Sequence, residues 1–156
     1  MLYERIFRMY FQQLLQNSVL GTAVIGWGTA QILKFILVLV IYKRFDFRRF
    51  IGSGGMPSSH SSLVVSLTMS IGFIKGFDSL IFALSAVMSL VVMYDAAGVR
   101  RSAGQQAAIL NKIVEDWGRA DYSLTEKKLK ELLGHTPVEV IAGAILGIII
   151  AIIRYV

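Results

Sequence analysis

Residues 136–156 read TPVEVIAGAILGIIIAIIRYV, and their two charges, Glu139 and Arg154, stand near the ends. A helix needs about 20 largely apolar residues to cross roughly 30 Å of hydrocarbon, and this stretch supplies that length. A lone strand cannot satisfy its backbone in lipid, and no barrel-like alternation is present, so the segment reads as a transmembrane helix. Three more segments read the same way. They are 19–42, interrupted only by Lys34; 58–74, which is somewhat short; and 77–98, with Asp78 and Asp95 near its ends. Working outward from these segments, we expect an all-α integral membrane helical bundle with about four transmembrane helices.

The composition agrees with that reading. Hydrophobic residues make up 55% of the 156 residues and charged residues 17%, and the mean hydropathy is +0.63. Soluble domains average about 45–50% apolar and about 25% charged. The excess is concentrated in the charge-free runs 17–33, 56–74, 79–94 and 140–153, which excludes a disordered chain and an ordinary soluble globule. The chain has no cysteine, so disulfides, thiolate catalysis and cysteine-ligated zinc are excluded. In a soluble protein the net charge of +6 would suggest nucleic acid. Here the basic residues lie between apolar runs, so anionic lipid or phosphate fits and nucleic acid does not.

The remaining segments are polar or amphipathic. Residues 1–17 place Leu2, Ile6 and Met9, and also Phe7, Tyr10 and Leu14, at helical spacing beside Arg5, Arg8 and several glutamines. They read as a helix lying in the membrane interface, without the organisation of a signal peptide. The connection 99–134 is polar, with helical composition at 103–117 and a second short helix expected at 124–133. No repeat or linker divides 1–156, which reads as one domain. If all four segments span, the connections 43–56 and 99–134 share one side of the membrane with every candidate catalytic residue.

Two of those candidates open helices. In GSGGMPSSHSS, residues 52–62, Pro57 suits a first helical turn, and the turn's N–H groups with the Ser58, Ser59 and Ser61 hydroxyls make an anion site. His60 stands beside it and can donate a proton; the plainer reading is a Gly-Ser loop capping a helix. In GHTPVEVIAG, residues 134–143, Thr136, Pro137 and Glu139 fit a capping box. His135 and Glu139 are four apart, so the carboxylate can hold one imidazole nitrogen and leave the other free to attack phosphorus. Lys34, deep in a span, must face a polar partner or snorkel. Arg100 and Arg101 offer donor forks suited to phosphate, with Asp95 able to orient one of them; a basic flank is the plainer reading.

In order, Lys34, P-S-S-H at 57–60 and H-T-P-V-E-V-I-A-G-A-I-L-G at 135–147 resemble the type 2 phosphatidic acid phosphatase superfamily, which includes lipid phosphate phosphatases and vanadium haloperoxidases. GGMPSSHSS, MYDAAGVRRSAGQQAAILN and LKELLGHTPVEVIAGAILG look like its small divergent bacterial and plant branch. The resemblance runs from Val19 to the C-terminus. It implies His135 as nucleophile, Glu139 as its orienting carboxylate and His60 as general acid. It implies Lys34, Ser59, Arg100 and Arg101 as ligands of the phosphoryl oxygens, with Asp95, Ser58, Arg48 and Arg49 behind them. The chain departs from the superfamily pattern in three places. Glu139 replaces the usual aspartate, Leu129 stands where an arginine is usual six residues before His135, and the first motif's arginine has only Arg44, Arg48 and Arg49 as candidates.

The function implied is a metal-independent membrane phosphatase that hydrolyses a lipid phosphomonoester or diphosphate through a phosphohistidine, with no cofactor. The alternative is a membrane protein that binds phosphate or a lipid head group without hydrolysis. A third reading uses Asp95, Glu139 and both histidines on a metal, which the surrounding cations oppose. The partners expected are a lipid phosphate substrate, membrane lipids and possible further copies of the chain. Lysine and arginine excess marks cytoplasmic loops. The site's side carries Lys43, Arg44, Arg48, Arg49, Arg100, Arg101, Lys112, Arg119, Lys127, Lys128 and Lys130, against Arg5, Arg8, Lys75 and Arg154 opposite. A bacterial inner-membrane location with a cytoplasmic site is therefore expected.

Overall fold

The structure, a computed structural model, describes residues 2–42, 55–117 and 134–156. Within them the chain forms helices α1 (Leu2–Leu15), α2 (Ser18–Tyr42), α3 (Ser59–Lys75), α4 (Leu80–Ala97), α5 (Val99–Trp117) and α6 (Pro137–Tyr155). The described residues contain no strand. Each expected span matches a helix, and the helix expected at 103–117 lies inside α5. The helix expected at 124–133 lies outside the described residues, as do Arg44, Arg48 and Arg49.

Among the described residues, three stretches are long and apolar enough to cross a membrane: Ser18–Val40, Leu80–Ile113 and Pro137–Tyr155. The 17-residue α3 has a different part in the bundle. Its length of about 25 Å nearly matches the hydrocarbon, and it packs against α2, α4 and α6 together. Enclosure explains its sequence. Ser59, Ser61, Ser62, Ser66, Thr68 and Ser70 are all buried, and a buried hydroxyl must find a partner. Ser62 Oγ donates to the Gly26 carbonyl of α2 at 2.8 Å, and Ser66 Oγ to the Gly147 carbonyl of α6 at 3.3 Å. Ser89 Oγ of α4 donates to the Val64 carbonyl at 3.0 Å and lies 2.7 Å from Thr68 Oγ1. The central helix is thus tied to each neighbour by a side chain-to-backbone bond.

Small residues make these approaches possible. A Cβ on Gly143 would collide with the Ser58 carbonyl oxygen, and one on Gly147 would lie 2.8 Å from the Ser62 carbonyl oxygen. Gly143, Gly147 and Ala151 recur every four residues on the buried face of α6, the spacing by which membrane helices pack closely. Large apolar side chains point outward instead: Ile32, Leu84, Val87, Leu90 and Ile145 are exposed, while the buried apolar residues are alanines and Val140. This inversion of the soluble pattern suits a bundle surrounded by lipid.

The contacts also give the helix directions. Gly26 meets Ser62 and Ser66, Ser85 meets Thr68, and Tyr155 meets Phe73 and Thr22. So α3 runs antiparallel to α2 and α4 and parallel to α6, and the N-termini of α3 and α6 open at the same end. At that end α5 leaves α4 and, among the described helices, packs chiefly on it. The face of α1 is fully exposed, and none of its residues is buried.

Candidate functional site

The N-terminus of α6 is a complete capping box. Thr136 Oγ1 accepts from the Glu139 N–H at 3.3 Å, and Glu139 Oε2 accepts from the Thr136 N–H at 3.0 Å. The same Oε2 lies 3.0 Å from His135 Nδ1. Capping and imidazole orientation, alternatives in the sequence, coexist on one oxygen. A carboxylate can only accept, so Nδ1 carries a proton, and in the neutral ring Nε2 holds the lone pair.

His135 is 2% exposed, and two backbone bonds fix it and its partner. Its own N–H donates to the Ala96 carbonyl at the end of α4 at 2.9 Å, and the Ser58 N–H donates to the Glu139 carbonyl at 2.9 Å. Gly134, at φ 92°, provides the turn that brings the chain to His135. The first turns of α3 and α6 therefore stand side by side, and the His60 ring lies 6.3 Å from the His135 ring, edge toward face.

The start of α3 differs in one respect from expectation. Pro57 was expected in the first helical turn, but it precedes the cap, with the Met56–Pro57 peptide cis. Ser58 is the N-cap and its side chain accepts from the Ser61 N–H, which places the proline outside the helix. Ser61 Oγ also donates to Ser58 Oγ at 3.1 Å, so both hydroxyls serve the cap. Ser59 is buried in the first turn and His60 is exposed.

From α2, Lys34 reaches the same end. It is 4% exposed, and among the described residues it makes no hydrogen bond or salt bridge; Glu139 is the charge that acts on it. Its stem runs beside Gly55, where a Cβ would lie 3.5 Å from Lys34 Cδ and Cγ. A buried ammonium is costly without a counter-charge, so this corner favours an anion. The structure thus gathers Lys34, Ser58, Ser59, His60, His135 and Glu139 at one end of the bundle. Asp95 lies in the last turn of α4, next to Ala96; Arg100 and Arg101 lie in the first turn of α5, and Arg101 is exposed. Among the described residues no three His, Asp or Glu side chains form a metal-ligand set.

The tight backbone path expected at Gly55 is present, at φ 90°, while two positioning features were not read from the sequence: the Ala96 carbonyl that holds His135, and Gly143, which lets α6 meet α3. Only Gly143 had a readable signal, its four-residue spacing from Gly147.

The chain is 38% identical over 151 residues to YuiD of Bacillus subtilis (strain 168), an uncharacterized membrane protein, a match covering 90% of this chain and 96% of that one. No solved structure matches the chain. The sequence pattern of the Divergent PAP2 family matches residues 15–150, which takes in α2 to α5, most of α6 and every side chain of the cluster, and the chain belongs to that family.

Proposed function

We propose that this membrane protein is a phosphatase that hydrolyses a lipid phosphomonoester or diphosphate through a phosphohistidine. The observation that carries this reading is the 3.0 Å hydrogen bond from His135 Nδ1 to Glu139 Oε2, beside the His60 ring. The Nε2 lone pair attacks phosphorus as the phosphorus–oxygen bond to the leaving group breaks, and His60 gives that oxygen its proton. Water then attacks the phosphohistidine, His60 takes the water's proton, and the phosphorus–nitrogen bond breaks to release phosphate. The Lys34 ammonium, with Ser59, Arg100 and Arg101, balances the charge on the phosphoryl oxygens. The Glu139 carboxylate stabilises the imidazolium-like His135 as it bonds.

A second reading, head-group binding without turnover, is favoured by Leu129 in place of the usual arginine and by the exposure of Arg101. The test is phosphate release from a panel of phosphatidic acid, phosphatidylglycerol phosphate and polyprenyl diphosphate, measured in chelator, with wild type beside His135→Ala. Release by wild type alone is the expected result. Equal release by a folded His135→Ala protein contradicts the nucleophile, and binding without release from any substrate selects the second reading. We further propose that the site faces the cytoplasm, on the excess of basic residues in the connections on its side.

A further inference from the structure

An apolar groove of about 540 Å³ lies between α4 and α6 on the outside of the bundle. Leu90, Tyr94 and Ala97 line it from α4, and Pro137, Val140 and Ile141 from α6. Leu90, Tyr94 and Ile141 are exposed and Val140 is buried, so the groove opens outward over a closed floor. Its upper end meets the candidate site. Pro137 is two residues from His135, Val140 follows Glu139, and Ala97 follows the Ala96 whose carbonyl holds His135. From Leu90 to Ala97 the helix rises about 10 Å, within the roughly 15 Å depth of one leaflet's hydrocarbon.

Apolarity alone selects nothing in a membrane, because bulk lipid tails match such a surface equally well. Selection requires a tether, and the site beside the groove can provide one by holding a head group. A chain attached to a held phosphate has a high effective concentration at the groove. We infer that this groove seats one hydrocarbon chain of the lipid whose phosphate meets His135, so that the lipid enters sideways from the bilayer. The inference rests on the phosphate site proposed above. A helix of a second copy fits less well, because the mouth carries Leu, Tyr and Ile rather than the small residues that close helix packing uses.

The test uses the full chain in phosphatidylcholine vesicles with phosphatidic acid bearing a photoreactive diazirine on one acyl chain. Cross-links are expected to concentrate on 90–97 and 137–141, to be displaced by unlabelled phosphatidic acid, and to survive added phosphatidylcholine. Ala97→Phe, which fills the groove, is expected to lower them about tenfold while circular dichroism keeps its wild-type form. Cross-links spread evenly over the outer faces of α2, α4 and α6, or displaced by phosphatidylcholine, would overturn the inference, as would cross-links undiminished in folded Ala97→Phe. The readout is binding, so it separates the two claims. Displaceable labelling without phosphate release removes the hydrolytic reading and leaves the groove, and release with even labelling does the reverse.

Discussion

At Glu139, one oxygen accepts from the Thr136 N–H and from His135 Nδ1, both at 3.0 Å, so its two roles are separable by changing charge rather than shape. Glu139→Gln retains an acceptor for both N–H groups and loses the charge that stabilises an imidazolium. We expect kcat to fall by about 10²–10⁴-fold while the Tm stays near wild type. Thr136→Ala reverses the pattern, removing the cap hydroxyl at about 1 kcal/mol of stability and lowering the Tm while most turnover remains. Paired kinetics and thermal melts check both; equal turnover in Glu139→Gln and wild type would leave the carboxylate a cap only. Lys34 is a different case, because its buried charge costs stability and no described side chain hydrogen-bonds to it, Glu139 acting on it only through its charge. Lys34→Met keeps the stem, so the expected outcome is an unchanged or higher Tm with kcat/KM down about 10²–10³-fold and weaker inhibition by vanadate. Unaltered inhibition would mean that Lys34 is not a phosphate ligand.

The helices themselves divide into seams and free faces, and α2 and α6 supply matched tests. At Gly143 an added methyl meets the Ser58 carbonyl oxygen, whereas at Gly28 it meets nothing within 4 Å. Gly143→Ala is expected to destabilise by about 1–3 kcal/mol and to spread the first turns of α3 and α6, weakening the His60–His135 approach. Gly28→Ala is expected to be neutral or to stabilise by up to about 1 kcal/mol. Thermal melts in detergent distinguish them, and equal effects at both positions would contradict the α3–α6 seam. The existence and order of these helices were legible because charge-free runs and capping residues are local signals. The place of α3 at the centre was less so, since 58–74 reads as one more span. Its buried hydroxyls at Ser58, Ser62, Ser66 and Ser70, one per four residues, carried the hint that this helix faces protein rather than lipid. The cap at Ser58 outcompeted the proline as the start of the helix, a choice that side-chain hydrogen bonding decides. His135 beside Glu139 was readable from a four-residue spacing. The meeting of His60 with His135 depends on two helices distant in the chain packing in parallel, and no local pattern encodes that.

Across the whole molecule, the functional end is set by chain direction. Lys34 from α2, His60 from α3 and His135 from just before α6 converge because α3 and α6 start where the latter half of α2 passes. The side that this end faces is testable in a chain without cysteine. Single cysteines replacing Ser123 and Lys75 can be labelled in intact cells with an impermeant thiol reagent. Labelling at Lys75 alone is expected for a cytoplasmic site, and labelling at Ser123 alone would reverse the orientation and favour a polyprenyl diphosphate substrate. The proposed covalent step would draw on the whole bundle, its nucleophile just before α6, its acid in α3 and its cation in α2. The most direct measurement is therefore to quench the full-length protein during turnover of a lipid carrying radiolabelled phosphate and to map the bound label. The account predicts an acid-labile, alkali-stable phosphate on the peptide containing His135, absent from His135→Ala. Phosphate release without any label on that peptide would contradict it.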